Sequence, residues 1–143
     1  MPAAPSFRLA AVRAAPSSLL DSRLDTDPVV AVLARGNRIT HGRDYRATVR
    51  RGAKFVGPNT VTYIRASDSS DARFGFIVAK SVGIAVVRNR VRRRLKAASY
   101  SLLPQIESGY DVVVRALPEA GTQPYHVLFE ELSRSLTKGS VLA

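Results

Sequence analysis

Residues 72–106 hold eight basic residues and not one acidic residue. Within this block, residues 84–103 fit a helix: at ~100° per residue, Ile84, Val87, Val91, Leu95, Ala98 and Leu102 fall inside an arc of about 80°. Arg88, Arg92 and Lys96 follow at i, i+4, i+8 beside that arc. Arg93 continues the polar side, and Arg90 with Arg94 closes the circle on the other flank. Pro104 ends the pattern. Such a helix must lay its apolar stripe on a partner layer, and a Val/Ala/Leu stripe is sized for packing on a sheet. Like charges at i, i+4 destabilise a helix by about 0.2–0.5 kcal/mol per pair. Here Arg88/Arg92, Arg92/Lys96 and Arg90/Arg94 have no acid interleaved to offset them. A solvated face would interleave acids, so the pattern predicts a surface that meets a polyanion.

The rest of the charge narrows the choice of polyanion. The chain of 143 residues has a formal charge of +11, and a second basic block, 35–54, sets seven basic residues against Asp44 alone. Arginine dominates both blocks, offering a bidentate fork to phosphate and a plane that stacks on unpaired bases. A membrane-surface helix would carry a bulky Trp/Phe/Leu face. Arg8, Arg13 and Arg35 interrupt the Ala/Val/Leu stretches that come nearest to a membrane span. There is no Cys, which removes disulfide scaffolds, thiolate metal sites and cysteine nucleophiles and fits a reducing interior. No helix-turn-helix or zinc-finger spacing occurs, and two isolated His cannot build a finger. The expected partner is RNA, with no role for a membrane or for DNA.

Along the chain, residues 1–31 are Ala/Pro/Ser-rich and carry no periodicity that survives Pro2, Pro5, Pro16 and Pro28. Thr40–Gly52 reads as a short helix (Tyr45, Thr48, Val49) stopped by Gly52. Asn59–Ala66 and Ala72–Ala79 read as strands joined by the Ser/Asp loop 67–71, and a tight antiparallel pairing of the two is expected. Tyr110–Ala116 is a third strand, apolar enough to lie centrally. After Pro124, residues Tyr125, Leu128, Phe129, Leu132 and Leu136 mark a last helix. The order is helix–strand–strand–helix–strand–helix, or α-β-β-β-α-β-α if a further extended segment precedes the long helix. This is an α/β (α+β) sandwich: a small sheet with packed helices. The expected divisions are a disordered extension over 1–33, one RNA-binding domain over 34–138 and a tail over 139–143.

The segment from Lys80 to Arg93 resembles the protein component of bacterial ribonuclease P. That family carries Lys–x–x–Gly–x–Ala–x–x–Arg-Asn-Arg–x–Lys/Arg-Arg from a strand end into a long helix. Here Lys80, Gly83, Ala85, Arg88, Asn89, Arg90, Arg92 and Arg93 stand in those places. Asn37-Arg38-Ile39 with Asp44-Tyr45 and Gly52 is similar to the family's first helix region, Val61–Tyr63 to its first strand, and Arg115-Ala116-Leu117-Pro118 to the end of its last strand. The resemblance implies a left-handed βαβ crossover, the fold also found in a ribosomal protein domain, against the usual right-handed default. It implies a cytoplasmic subunit that joins a catalytic RNA to remove the 5′ leader of precursor tRNA. Lys80, Arg88, Asn89, Arg90, Arg92, Arg93, Arg94 and Lys96 would face the catalytic RNA. Tyr45, Arg46, Val49 and Tyr63 would line a cleft for the single-stranded leader, where aromatic platforms beside cations are the usual device. Val49 stands where the family often has Phe, Ile84 where it often has Asn, and Ser81 where a second Lys is frequent. Family members begin a few residues before the Asn37 region, so Val32-Leu33-Ala34-Arg35 implies a start near Val32, with 1–31 an over-extended reading frame.

No catalytic constellation accompanies these features. His41 and His126 lie in different segments of the chain, and neither a Gly-rich phosphate loop nor a Ser nucleophile motif is present. The chemistry, with Mg²⁺ held mainly by the RNA, would then belong to the RNA, making the chain part of an endoribonuclease without supplying catalytic residues. A non-catalytic ribosomal or other structural RNA-binding protein is the alternative.

Overall fold

A computed structural model describes residues 33–142; apart from Leu33, the expected extension over 1–33 lies outside them, as does a start near Val32. The elements are α1 (Gly42–Arg51), β1 (Ala53–Val56), β2 (Thr60–Ala66), β3 (Arg73–Ile77), α2 (Ala85–Leu102), β4 (Tyr110–Ala116) and α3 (Tyr125–Lys138). The strands form one sheet in the order β1-β2-β4-β3. β1/β2 and β2/β4 are antiparallel, and β3/β4 are parallel. The α/β sandwich read from the sequence is therefore the fold.

Two details differ from expectation. β2 and β3 do not pair with each other, because β4 lies between them and bonds to both. Its Asp111–Val114 run is completely buried, so the free energy of covering Val112, Val113 and Val114 on both faces outweighs the short loop that favours a hairpin. Second, β1 is a strand in its own right, paired with β2 from Ala53↔Ile64 to Val56↔Val61. The packed body also passes the expected limits of 34 and 138: Leu33 and Val141 are buried, and Leu142 bridges to Ile106.

Both faces of the sheet are covered. On one, Ile64, Phe74, Val112 and Val114 pack against Val91, Leu95, Ala98 and Leu102 of α2 and Leu128, Leu132 and Leu136 of α3. On the other, Val61, Tyr63 and Val113 pack with Ile39 beneath Tyr45 and Val49 of α1. The wheel thus located the buried stripe of α2, with one exception. Ile84 is 72% exposed, because it is the N-cap residue (φ −68°, ψ 170°) and its extended backbone takes it off the helical wheel.

Polar ties fix the edges of this core. The buried carboxylate of Glu131 in α3 accepts from the Asn59 amide, from Asn59 Nδ2 at 2.9 Å and from Thr60 Oγ1 at 2.6 Å, holding the β1–β2 turn. At the far end of the sheet, Asp111 accepts from Arg65 Nη2 at 3.0 Å and from Arg73 Nε and Nη2 at 2.8 and 2.7 Å. Arg73 also reaches Asp44 of α1 at 3.6 Å. Its hydrogen bond to Asp111 raises the guanidinium pKa, so the arginine stays charged despite its partial burial.

Candidate RNA-binding surfaces

α1 crosses the sheet so that one of its sides stands over an open part of the sheet face. Asp44 meets Arg73 at its start, and Gly52 ends it where the chain passes Ile64 of β2. A Cβ on Gly52 would come within 2.5 Å of the Thr48 carbonyl oxygen, so the close exit needs glycine. Between these ends, Tyr45, Arg46, Val49 and Arg50 of α1 and Ile77 of β3 line a groove of about 290 Å³. Tyr45 Oη accepts from the Phe76 amide at 3.2 Å on the open edge of β3, which fixes the ring. Arg115 pairs in register with Ile77 and Val61, shares their face and is exposed, which puts a further cation next to Ile77.

Of the four expected cleft residues, Tyr45, Arg46 and Val49 are brought together here. Tyr63 is not. It is only 5% exposed, packed between the sheet and α1, because its face of β2 is roofed by that helix. Its ring serves the core and offers no open platform. Arg50 and Ile77 were missed. Arg50 lies four residues after Arg46, a helical spacing that marks it as a groove-side cation. Ile77 becomes visible only when β3 is seen beneath α1.

The second surface lies on α2 and the turn before it. Lys80 is exposed on the 3-10 turn Lys80–Val82. Gly83 follows with φ 155°, where only glycine is comfortable, and its carbonyl accepts from Arg88 Nε at 3.1 Å. Asn89 Oδ1 accepts from Arg92 Nη1 at 2.9 Å on the exposed side of the helix. Arg93 is exposed, while Arg88, Arg90, Arg92 and Lys96 are half-buried. The surface has no neighbouring carboxylate on its own element.

Arg94 departs from its expected place on the cationic surface. It is 9% exposed, and Nη1 donates to the Gln123 carbonyl, tying α2 to the chain just ahead of α3. The turn Pro118–Thr122 folds over this flank of the helix, a long-range contact that a helical wheel cannot show. Arg90 and Arg94 line a small polar hollow of about 200 Å³ with Gly121, Thr122 and Pro124. The two basic surfaces lie on opposite sheet faces and are joined by the segment from Ile77 through Lys80 to Gly83.

Known proteins match this arrangement. The family model described as ribonuclease P matches residues 33–139. The "Ribonuclease P protein component" of Clavibacter michiganensis is 44% identical over 108 residues, covering 75% of this chain and 96% of that protein. The component of Kocuria rhizophila is 40% identical, covering 72% of this chain and 88% of its own length. Among solved structures, a Staphylococcus aureus RNase P protein mutant superposes with a TM-score of 0.70 at 22% identity, covering 76% of this chain and 92% of that one. The RNase P protein of Thermotoga maritima gives a TM-score of 0.64 at 21% identity, covering 71% and 96%. The two structures show the shared fold, and the family match with the curated relatives shows the kinship: this chain belongs to the bacterial ribonuclease P protein component family.

Proposed function

We propose that the chain acts as the protein subunit of ribonuclease P, in the cytoplasm, holding the catalytic RNA on α2 and the precursor tRNA's 5′ leader in the α1 groove. The carrying observation is the acid-free helix joined by the Lys80–Gly83 segment to a groove lined by Tyr45, Arg46 and Arg50, with exposed Arg115 beside Ile77. Lys80, Arg88, Arg90, Arg92, Arg93 and Lys96 neutralise phosphates of the catalytic RNA, and the uncharged Asn89 amide contributes a hydrogen bond. Counterion release then supplies affinity. Tyr45 stacks on an unpaired leader base, with Arg46, Arg50 and Arg115 tracking its backbone. Val49 offers a narrower apolar contact than an aromatic ring would.

The protein's contribution is binding and orientation. Mg²⁺ would supply the phosphodiester hydrolysis, and this chain's side chains do not fit it. Among the described residues no three His, Asp or Glu converge, and the buried carboxylates of Asp111 and Glu131 are taken by arginines and by Asn59 and Thr60. The ion belongs on the RNA. No helix among the described residues is long and apolar enough to cross a membrane.

The direct test is reconstitution. Adding the purified chain to a bacterial ribonuclease P RNA and a leader-bearing precursor tRNA at low Mg²⁺ should raise the cleavage rate. No gain at any protein concentration would overturn the proposal.

A further inference from the structure

Four large apolar residues are exposed among the described ones, and three belong to the cationic helix and its cap: Ile84 at 72%, Val86 at 66% and Tyr100 at 49%. Val86, Arg93 and Tyr100 stand at i, i+7 and i+14 and so share one line along α2. Ile84 occupies the N-cap, where Ser, Thr, Asp or Asn would bond the free amides of the first turn, and it makes no side-chain cap bond. A helix shaped for stability alone would cap here and keep Val86 out of water.

We propose that Ile84 and Val86 cover an unstacked nucleobase in the catalytic RNA, so that α2 docks at a junction or bulge and not on an uninterrupted duplex. This rests on the assignment of α2 to that RNA. The surroundings identify the occupant. Lys80 and Arg88 stand four residues to either side of Ile84, Arg90 and Arg93 follow Val86 at i+4 and i+7, and residues 72–106 contain no acid, so the partner is a polyanion. A continuous RNA helix presents phosphates and 2′-hydroxyls to such a surface and gives two aliphatic side chains nothing to cover. A splayed-out base presents an apolar face beside its phosphates. Gly83 sets the geometry. It takes a φ of 155° immediately before Ile84, and Arg88 Nε fixes this residue through its carbonyl at 3.1 Å. The patch is too small for a stable protein–protein interface.

The test separates the apolar contact from the electrostatic one. Affinity for a bacterial ribonuclease P RNA is measured from low to moderate salt for the full chain, for Ile84→Asn/Val86→Ser and for Arg90→Ala. The double variant should bind about tenfold more weakly at every salt concentration with an unchanged salt slope, since no counterion is involved. It should melt no lower than the parent, because Asn at the N-cap supplies the missing bond. Affinity within twofold of the parent would overturn the proposal, as would a changed slope. So would a chain that self-associates through this patch, losing its dimer but not its RNA affinity in the variant. Failure of the parent assignment reads differently: the unmodified chain would lack salt-dependent binding, or Arg90→Ala would leave the slope untouched.

Discussion

The ring of Tyr45 lies directly on Gly75. A Cβ at Gly75 would sit 2.5 Å from Tyr45 Cε1 and 2.6 Å from Cζ. The groove's one half-exposed aromatic is therefore seated by an absence of side chain on β3, and only glycine leaves room. Replacing Gly75 with Ala lifts the ring and costs about 2 kcal/mol through overpacking. It also breaks the hydrogen bond from the Phe76 amide. Denaturant unfolding measures the first effect, and leader affinity, compared with a leaderless tRNA, measures the second. A Gly75→Ala chain as stable as the parent would contradict the contact.

Asp111 ties β4 to β2 through Arg65 and, through Arg73, to β3 and α1. It is fully buried and bonded to two arginines. Asp111→Asn leaves Arg65 and Arg73 without their shared carboxylate, and the cost is about 3 kcal/mol. Because Arg73 also holds Asp44, the start of α1 loosens too. Hydrogen exchange at the α1 amides should rise in this variant. Exchange confined to β4 would show that the ion cluster does not anchor the helix.

Alkaline pH provides a separate handle. Burial raises the pKa of the Tyr125 phenol above its usual value near 10, and a hydrogen bond with Ser101 opposes this in part. The folded state then keeps its proton where the unfolded chain releases it, so this contribution to stability is complete below pH ~10 and declines as pH rises further. Tyr125→Phe should flatten the stability profile above pH ~10 and leave neutral pH little changed. The ring still packs against Phe129.

The arginines of α2 divide into two classes by measurement. Arg88→Ala with Arg90→Ala should weaken binding to the catalytic RNA and reduce the salt slope by up to about one unit per lost phosphate contact. Arg94→Ala should instead cost about 2 kcal/mol of stability, since the Gln123 carbonyl loses a charged donor. Thermal unfolding of both variants, beside the binding isotherms, distinguishes the two. Equal stability losses would erase the distinction.

Most elements were legible because periodicity survives in them: Leu128, Leu132 and Leu136 in α3 and Val91, Leu95, Ala98 and Leu102 in α2 are all buried as their spacing predicts. β1 was not legible, since its four residues include exposed Lys54 and Val56 and only Phe55 packs inward. Strand pairing was illegible for another reason. Alternation says which side chains share a face but not which strand lies beside it, so β4's insertion between β2 and β3 left no local mark. The cleft shows the same limit. Tyr45 and Tyr63 look alike in sequence, and only the roof of α1 separates a half-open ring from a core residue.

The sheet order also bears on how the chain is made. β2 and β3 have no hydrogen-bonded contact with each other, and β3 joins the β1–β2 pair only through β4, which begins at Tyr110. During synthesis the Arg-rich helix leaves the ribosome before the strand that completes the layer beneath it. Its apolar stripe has no finished sheet to lie on until then. Closure of the domain is thus a late, long-range event, and a nascent chain stopped short of Tyr110 is a basic amphipathic segment released among abundant RNA.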